Sequence, residues 1–229
     1  MGRRYPRRAD AAARKPVGTL YTGHMCTKLY PTPGDPFAIR VTTAQVMAET
    51  RDVRIDQRAV ERVARQLAAD PSEPPVWDGT LHFRGTPEET AGWVVVLDAL
   101  NYCFWPQGPD PKVRWRVTWR GVTHDGYDAL AAALHRAVVD DGEPIWDRAW
   151  LKNISRETVA HILRGDEGPE IPLMSNRIDS LRNLGDPRHQ RDTRPADIAI
   201  DARGSAERVV RLVTHRYGTF DDTAVWRRR

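Results

Sequence analysis

The residues best suited to chemistry lie in one short run, Leu97-Asp98-Ala99-Leu100-Asn101-Tyr102-Cys103-Phe104-Trp105-Pro106. On a helix, Asp98, Asn101 and Trp105 share a face at i, i+3 and i+7, beside an apolar face of Trp93, Leu97, Leu100 and Phe104. An amide next to two aromatic rings can grip a flat heterocycle: the amide reads one edge and the rings stack on the faces. The same spacing also suits plain packing, because aromatic stripes usually bury themselves, and Asn101 could simply cap a turn.

Other chemistries find little support. There is no phosphate-cradling GxxxxGK[ST], no GxGxxG after a strand, no HExxH and no GxSxG. The seven histidines are scattered without metal-ligand spacing, so no metal site is expected. Cys26 and Cys103 lack any CxxC companion, and free thiols in a reducing compartment are the expected state.

The elements that must position the Asp98–Trp105 run are mainly helical. Asp56 can cap a helix through Ala59, Val60, Val63, Ala64 and Leu67. Thr86, Pro87 and Glu89 form a capping box that starts a helix expected to reach Phe104 and stop at Pro106. Residues 113–119 switch to a two-residue alternation of Val/Trp with Arg/Thr. With Arg120-Gly121 as a turn, they predict one hairpin over about 113–124, whose tryptophans need a covering helix. Helical patterns resume over Tyr127–Val139, Ser155–Leu163, Leu173–Leu184 and Ser205–Tyr217, and glycines mark several ends. Residues 185–203 read as a loop around a short apolar piece at Ile198 and Ile200. The fold class is mainly α with one small β-hairpin.

The 229 residues carry a net charge of +4, unevenly distributed. Residues 1–40 have a net charge of +6 and the remainder −2, with Arg227, Arg228 and Arg229 at the end. The body is therefore mildly acidic, which disfavours a long polyanionic partner, since binding one needs many cationic contacts. Residues 1–36, Arg-rich and broken by Pro and Gly, are expected to be a disordered basic tail preceding a helical domain over 37–229. No run of about 18 apolar residues exists, so no membrane span is expected.

Three phrases in order, LDALNYCFWP, GYDALAAALHRAVVDDGEPI (126–145) and EIPLMSNRIDSLRNLG (170–185), resemble the queuosine salvage protein family. The family's corresponding patterns are D-A-L-N-[FY]-[CS]-F-W, G-Y-W-x-L-x-A-A-x-x-R-A and [IM]-P-L-x-x-x-R-x-x-x-L-x-x-x-G. This sequence departs from them at Asp128, where the family has tryptophan, and at Ser175-Asn176, where it has an acidic pair; Arg177 is kept. The family phrase Phe-Pro-Ser-[FY]-Arg-Asp corresponds to Tyr217-Gly218-Thr219-Phe220-Asp221-Asp222. Relative to the family, the sequence ends short of the phrases that follow.

The resemblance implies a helical, DNA-glycosylase-like domain and hydrolysis of the N-glycosidic bond of queuosine 5'-phosphate, releasing queuine. His82, Phe83, Asp98, Asn101, Phe104, Trp105 and Tyr127 would line the substrate site. Asp222 is the carboxylate in a matching catalytic phrase, with the main catalytic aspartate expected beyond Arg229. A carboxylate near the anomeric carbon would stabilise an oxocarbenium-like sugar. Because a 7-deazapurine leaving group has no N7 to protonate, more of the barrier falls to that carboxylate and to the grip on the base. Neither metal nor cofactor is implied. The expected setting is a cytoplasmic monomer acting on a free nucleotide, with no direct tRNA binding; a non-catalytic queuine- or nucleotide-binding protein, or an inactive truncated relative, is the alternative.

Overall fold

The computed structural model describes residues 19–22, 25–28, 32, 34–70, 76–106, 108, 110, 112–188 and 193–221. It divides into two compact units, Met1–Glu73 with Thr223–Arg229, and Pro74–Asp222.

In the first unit, β1 (Thr19–Thr22) pairs antiparallel with β2 (Met25–Lys28), Thr19 opposite Lys28 and Thr22 opposite Met25. This hairpin lies inside the stretch expected to be an unstructured tail. Two helices follow, α1 (Ile39–Glu49) and α2 (Gln57–Ala69). The Asp35 carboxylate caps α1 by accepting from the Ile39 and Arg40 amides at 2.8 and 2.9 Å. Asp56 caps α2 as expected, accepting from the Ala59 amide at 3.2 Å.

The second unit is built on α3 (Pro87–Leu100), α4 (Gly126–Val139) and α7 (Met174–Gly185), joined by α5 (Arg148–Lys152), α6 (Arg156–Ile162), α8 (Asp197–Ala202) and α9 (Ala206–Arg216). The capping box at the start of α3 is present in both directions: Thr86 N–H donates to Glu89 Oε2 at 2.9 Å, and the Glu89 amide donates to Thr86 Oγ1 at 3.3 Å. Trp93, Val96 and Leu100 of α3, Leu130 and Leu134 of α4, and Leu184 of α7 are fully buried in one core.

The hairpin is β3 (Arg116–Trp119) with β4 (Val122–Asp125), turning at Arg120 and Gly121, both of positive φ. Trp115, Val117 and Trp119 are buried while the arginines face water, and α4 supplies the cover the tryptophans require. Each indole N–H finds an acceptor, Trp115 on the Leu163 carbonyl at 3.2 Å and Trp119 on Asp140 at 2.7 Å.

Two further expectations are corrected, and one helix was not expected at all. Helix α3 stops at Leu100 rather than continuing to Phe104, for a reason that lies in α7 and is given below. The stretch around Ile198 is a helix, α8, because burying Ile198 and Ala202 outweighs the weak local pattern. Helix α5 carried no strong sequence signal, being five residues capped by Asp147, whose side chain accepts from the Trp150 amide at 2.7 Å. Gly185 stands at the end of α7 as expected, being its last residue, and a Cβ there would stand 2.1 Å from the Lys152 backbone nitrogen. Only glycine lets α5 and α7 approach so closely.

Candidate functional site

The wall that could hold a base has two parts, both reached from α3. The first is an aromatic cluster. Trp93 on α3 meets His82 edge-on at 5.9 Å between ring centroids, and Trp77 lies 5.3 Å from His82. Tyr127, in the first turn of α4, places its hydroxyl 2.9 Å from His82 Nε2. His82 Nδ1 faces the Asp78 carbonyl at 3.3 Å. A carbonyl can only accept, so Nδ1 carries the proton and Nε2 accepts from the Tyr127 hydroxyl. The phenol oxygen then keeps its lone pairs for another partner.

Asp98 stands beside this pair. Partial burial raises its carboxyl above the ordinary carboxylate value, although the side chain still reaches solvent. Tyr127 is raised as well, first by burial and then by the carboxylates of Asp98 and Asp128.

The second part is the segment that follows α3. Asn101 is the C-cap of α3 and is exposed; Trp105 is 69% exposed; Phe104 is half-buried against the core. Asp98 and Asn101 are neighbours in the last turn of α3, the Asn101 backbone N–H donating to the Asp98 backbone carbonyl at 3.3 Å. Trp105 does not join them on a helical face, because the chain leaves the helix and Cys103 adopts a left-handed φ of 50°. Phe83 faces elsewhere. It stacks on Trp146 at 5.3 Å and meets His135 at 6.0 Å, as part of the packing around the core. Asp222 lies outside the described residues.

Arg177 on α7 decides where α3 ends. Its side chain is fully buried. The guanidinium donates to the Leu100 and Tyr102 carbonyls, to the Cys103 carbonyl at 3.3 Å, and through Nε to the Pro172 carbonyl at 2.9 Å. It also lies over the Tyr102 ring at 4.5 Å and the Phe104 ring at 5.3 Å. The carbonyls at the end of a helix have no partner within it, and here one cation gathers them. Desolvation lowers the Arg177 pKa, and no carboxylate pairs with it among the described residues, so carbonyl dipoles and ring faces hold the buried charge. Sequence reasoning kept Arg177 as part of a phrase without giving it a role. The signal that could have found it is an arginine inside an otherwise apolar helical stripe, between Met174, Ile178 and Leu181.

Asp221 stands where the family phrase has arginine, and Arg188 brings a guanidinium to it, Nη1 lying 3.3 Å from Oδ2. Among the described residues, no group of three or more His, Cys, Asp or Glu is arranged to hold a metal, and no helix is long and apolar enough to cross a membrane.

Comparison with known proteins accounts for the three phrases. The chain is similar to the queuosine 5'-phosphate N-glycosylase/hydrolase of Sphaerobacter thermophilus, at 39% identity over 196 residues covering 85% of this chain and 58% of that protein. The protein of the same name from Bos taurus is 37% identical over 150 residues, covering 62% of this chain and 43% of that one. The Mus musculus protein is 31% identical over 196 residues, covering 83% and 57%. The chain thus spans less than two thirds of the length of these curated relatives. Residues 81–229, which contain the loop after α3, Arg177 and the aromatic cluster apart from Trp77, match the model of the queuosine salvage protein family, and the chain belongs to that family.

Proposed function

We propose that this chain binds queuosine 5'-phosphate and takes part in hydrolysis of its N-glycosidic bond, releasing queuine. The observation that carries the reading is the convergence of the three family phrases. Arg177 of the third clamps the loop of the first, and Tyr127 of the second sits beside Asp98 of the first and bonds to His82. Stacking on Trp105, with the Asn101 amide on an edge, would hold the base; alanine at a stacking aromatic typically costs about 1–3 kcal/mol of binding.

The hydrolytic step needs a carboxylate facing the anomeric carbon. Removing such a group typically costs about 2.7–4 kcal/mol, or roughly 100- to 1000-fold in rate. We assign that role to Asp222 or to the aspartate that the family resemblance implies beyond Arg229, and assign Asp98 to binding. The mainly helical unit supports the DNA-glycosylase-like organisation implied by the resemblance. The mildly acidic body supports a free nucleotide as ligand rather than intact tRNA, and we place the protein in the cytoplasm as a monomer.

A non-catalytic binding protein is the second reading, favoured by the aspartate at position 221 in place of the family arginine. Incubating the 229-residue chain with queuosine 5'-phosphate and assaying free queuine by mass spectrometry separates the two. Queuine release is the expected result. Queuine binding without release establishes the binding protein, and neither binding nor release overturns both readings.

A further inference from the structure

Beside the base-binding loop lies a cavity of about 430 Å³ that the proposed function does not yet use. One wall is a stripe of α7, where Asn176, Asp179, Ser180 and Asn183 follow one another at i, i+3, i+4 and i+7. The Tyr102 side chain forms the wall shared with the loop, and Arg188 with the 3-10 turn at Gly218–Phe220 closes the opposite side.

Several polar groups in this cavity are held in place by bonds to one another along its lining. The Thr219 amide donates to Asn183 Oδ1 at 2.9 Å, which fixes the asparagine amide and leaves its NH₂ as a donor. Ser180 Oγ lies 3.4 Å from the Tyr102 hydroxyl. The Arg188 guanidinium lies against Gly218, where an added Cβ would come within 2.5 Å of Nη2. The side chains of Asp179 and Asn176, by contrast, make no hydrogen bond among the described residues. A cavity with one pre-positioned amide, two neighbouring hydroxyls, and an asparagine and an aspartate whose side chains are unpaired is furnished for a ligand that donates and accepts at neighbouring atoms.

We propose that this cavity is a binding site for a vicinal diol, with Asp179 accepting from both hydroxyls and Asn176 and Asn183 donating to their oxygens. A carboxylate has two acceptor oxygens and no donor when ionised, so two adjacent hydroxyl groups fit it in bidentate fashion. The proposal deepens the functional reading and rests on it for the ligand's identity. Queuosine 5'-phosphate has such a diol at both ends, on the ribose and on the cyclopentene ring of the base, and Tyr102 links the cavity to the loop that would hold the base between them.

The experiment uses the whole 229-residue chain and Asp179→Asn. Asp179 is exposed and unpartnered, so the variant should fold as the parent does, which a matching thermal transition verifies. Queuosine 5'-phosphate, queuine, ribose 5-phosphate and 7-aminomethyl-7-deazaguanine, a base without a diol, are titrated while the Thr219 amide resonance is followed. The expected result is that diol-bearing ligands shift Thr219, and that Asp179→Asn weakens them about 10- to 100-fold while leaving the diol-free base unchanged. If queuine loses affinity, the diol is that of the base; if only the nucleotide and ribose 5-phosphate do, it is that of the sugar. The proposal is overturned if no diol-bearing ligand moves Thr219, or if Asp179→Asn leaves every affinity within twofold. A chain that binds ribose 5-phosphate through Asp179 but neither base would keep the cavity proposal and remove the functional reading instead.

Discussion

The two parts of the wall leave the same helix but are secured in different ways. The loop after α3 is held from behind by Arg177, fully buried and bonded to the carbonyls of Leu100, Tyr102, Cys103 and Pro172. The aromatic cluster is held at the surface, by the His82–Tyr127 hydrogen bond and by ring contacts with Trp77 and Trp93. Removing a buried donor leaves carbonyls that water cannot reach, whereas losing a surface bond is largely compensated by water. The loop is therefore the rigid part and the cluster the adjustable one.

The largest expected effect comes from breaking the rigid part. Arg177→Met strips several carbonyls of their donor and should destabilise the protein by about 3–5 kcal/mol, seen as a lower denaturant midpoint. Arg177→Lys should recover only part of this, since one ammonium cannot span the same carbonyls. An Arg177→Met midpoint equal to the parent's would remove the distinction between the two parts.

Next come the loop's exposed ligand contacts. Trp105→Ala and Asn101→Ala should each weaken queuine binding by about 1–3 kcal/mol, measured by calorimetry, with no shift in thermal transition. A loss of stability instead would mean that these side chains pack rather than bind.

Breaking the adjustable part should matter less. Tyr127→Phe removes one hydrogen bond to His82 and should cost at most about 1 kcal/mol of stability. The smallest effect concerns pH. Asp98 has a raised folded-state pKa, so its contribution to stability is complete below the ordinary carboxylate value and is lost as pH rises through the raised one. Asp98→Asn should flatten that decline, and denaturant midpoints taken from about pH 3 to about pH 7 test it. A variant whose midpoint falls in parallel with the parent's would assign the decline to another group.

Much of the fold was legible because its signals are local. Thr86, Pro87 and Glu89 announce the start of α3 within one turn, and Asp56, Ser155 and Ser205 do the same for α2, α6 and α9. The alternation over 113–119 announced a hairpin and its buried face. The candidate site was legible in part. Asp98, Asn101 and Tyr127 fall along one wall, but Phe83 packs inward on Trp146, and a helical face shared with Trp105 does not exist. Helix α8 escaped because it is six residues long, and its stability comes from burying Ile198 rather than from its own periodicity.

By itself, then, the sequence determined where most helices begin, which strand face is apolar and which family's phrases the chain carries. These depend on side chains acting within a turn of their own backbone. Only the tertiary structure decided where α3 ends, since the donor for its last carbonyls comes from Arg177, 77 residues beyond Leu100. It alone decided that His82 Nε2 meets a tyrosine 45 residues away, and it alone formed the polar cavity between α7 and the 218–220 turn. Ownership of a hydrogen bond between distant residues has no local signature, because it depends on which elements pack together once the core has formed.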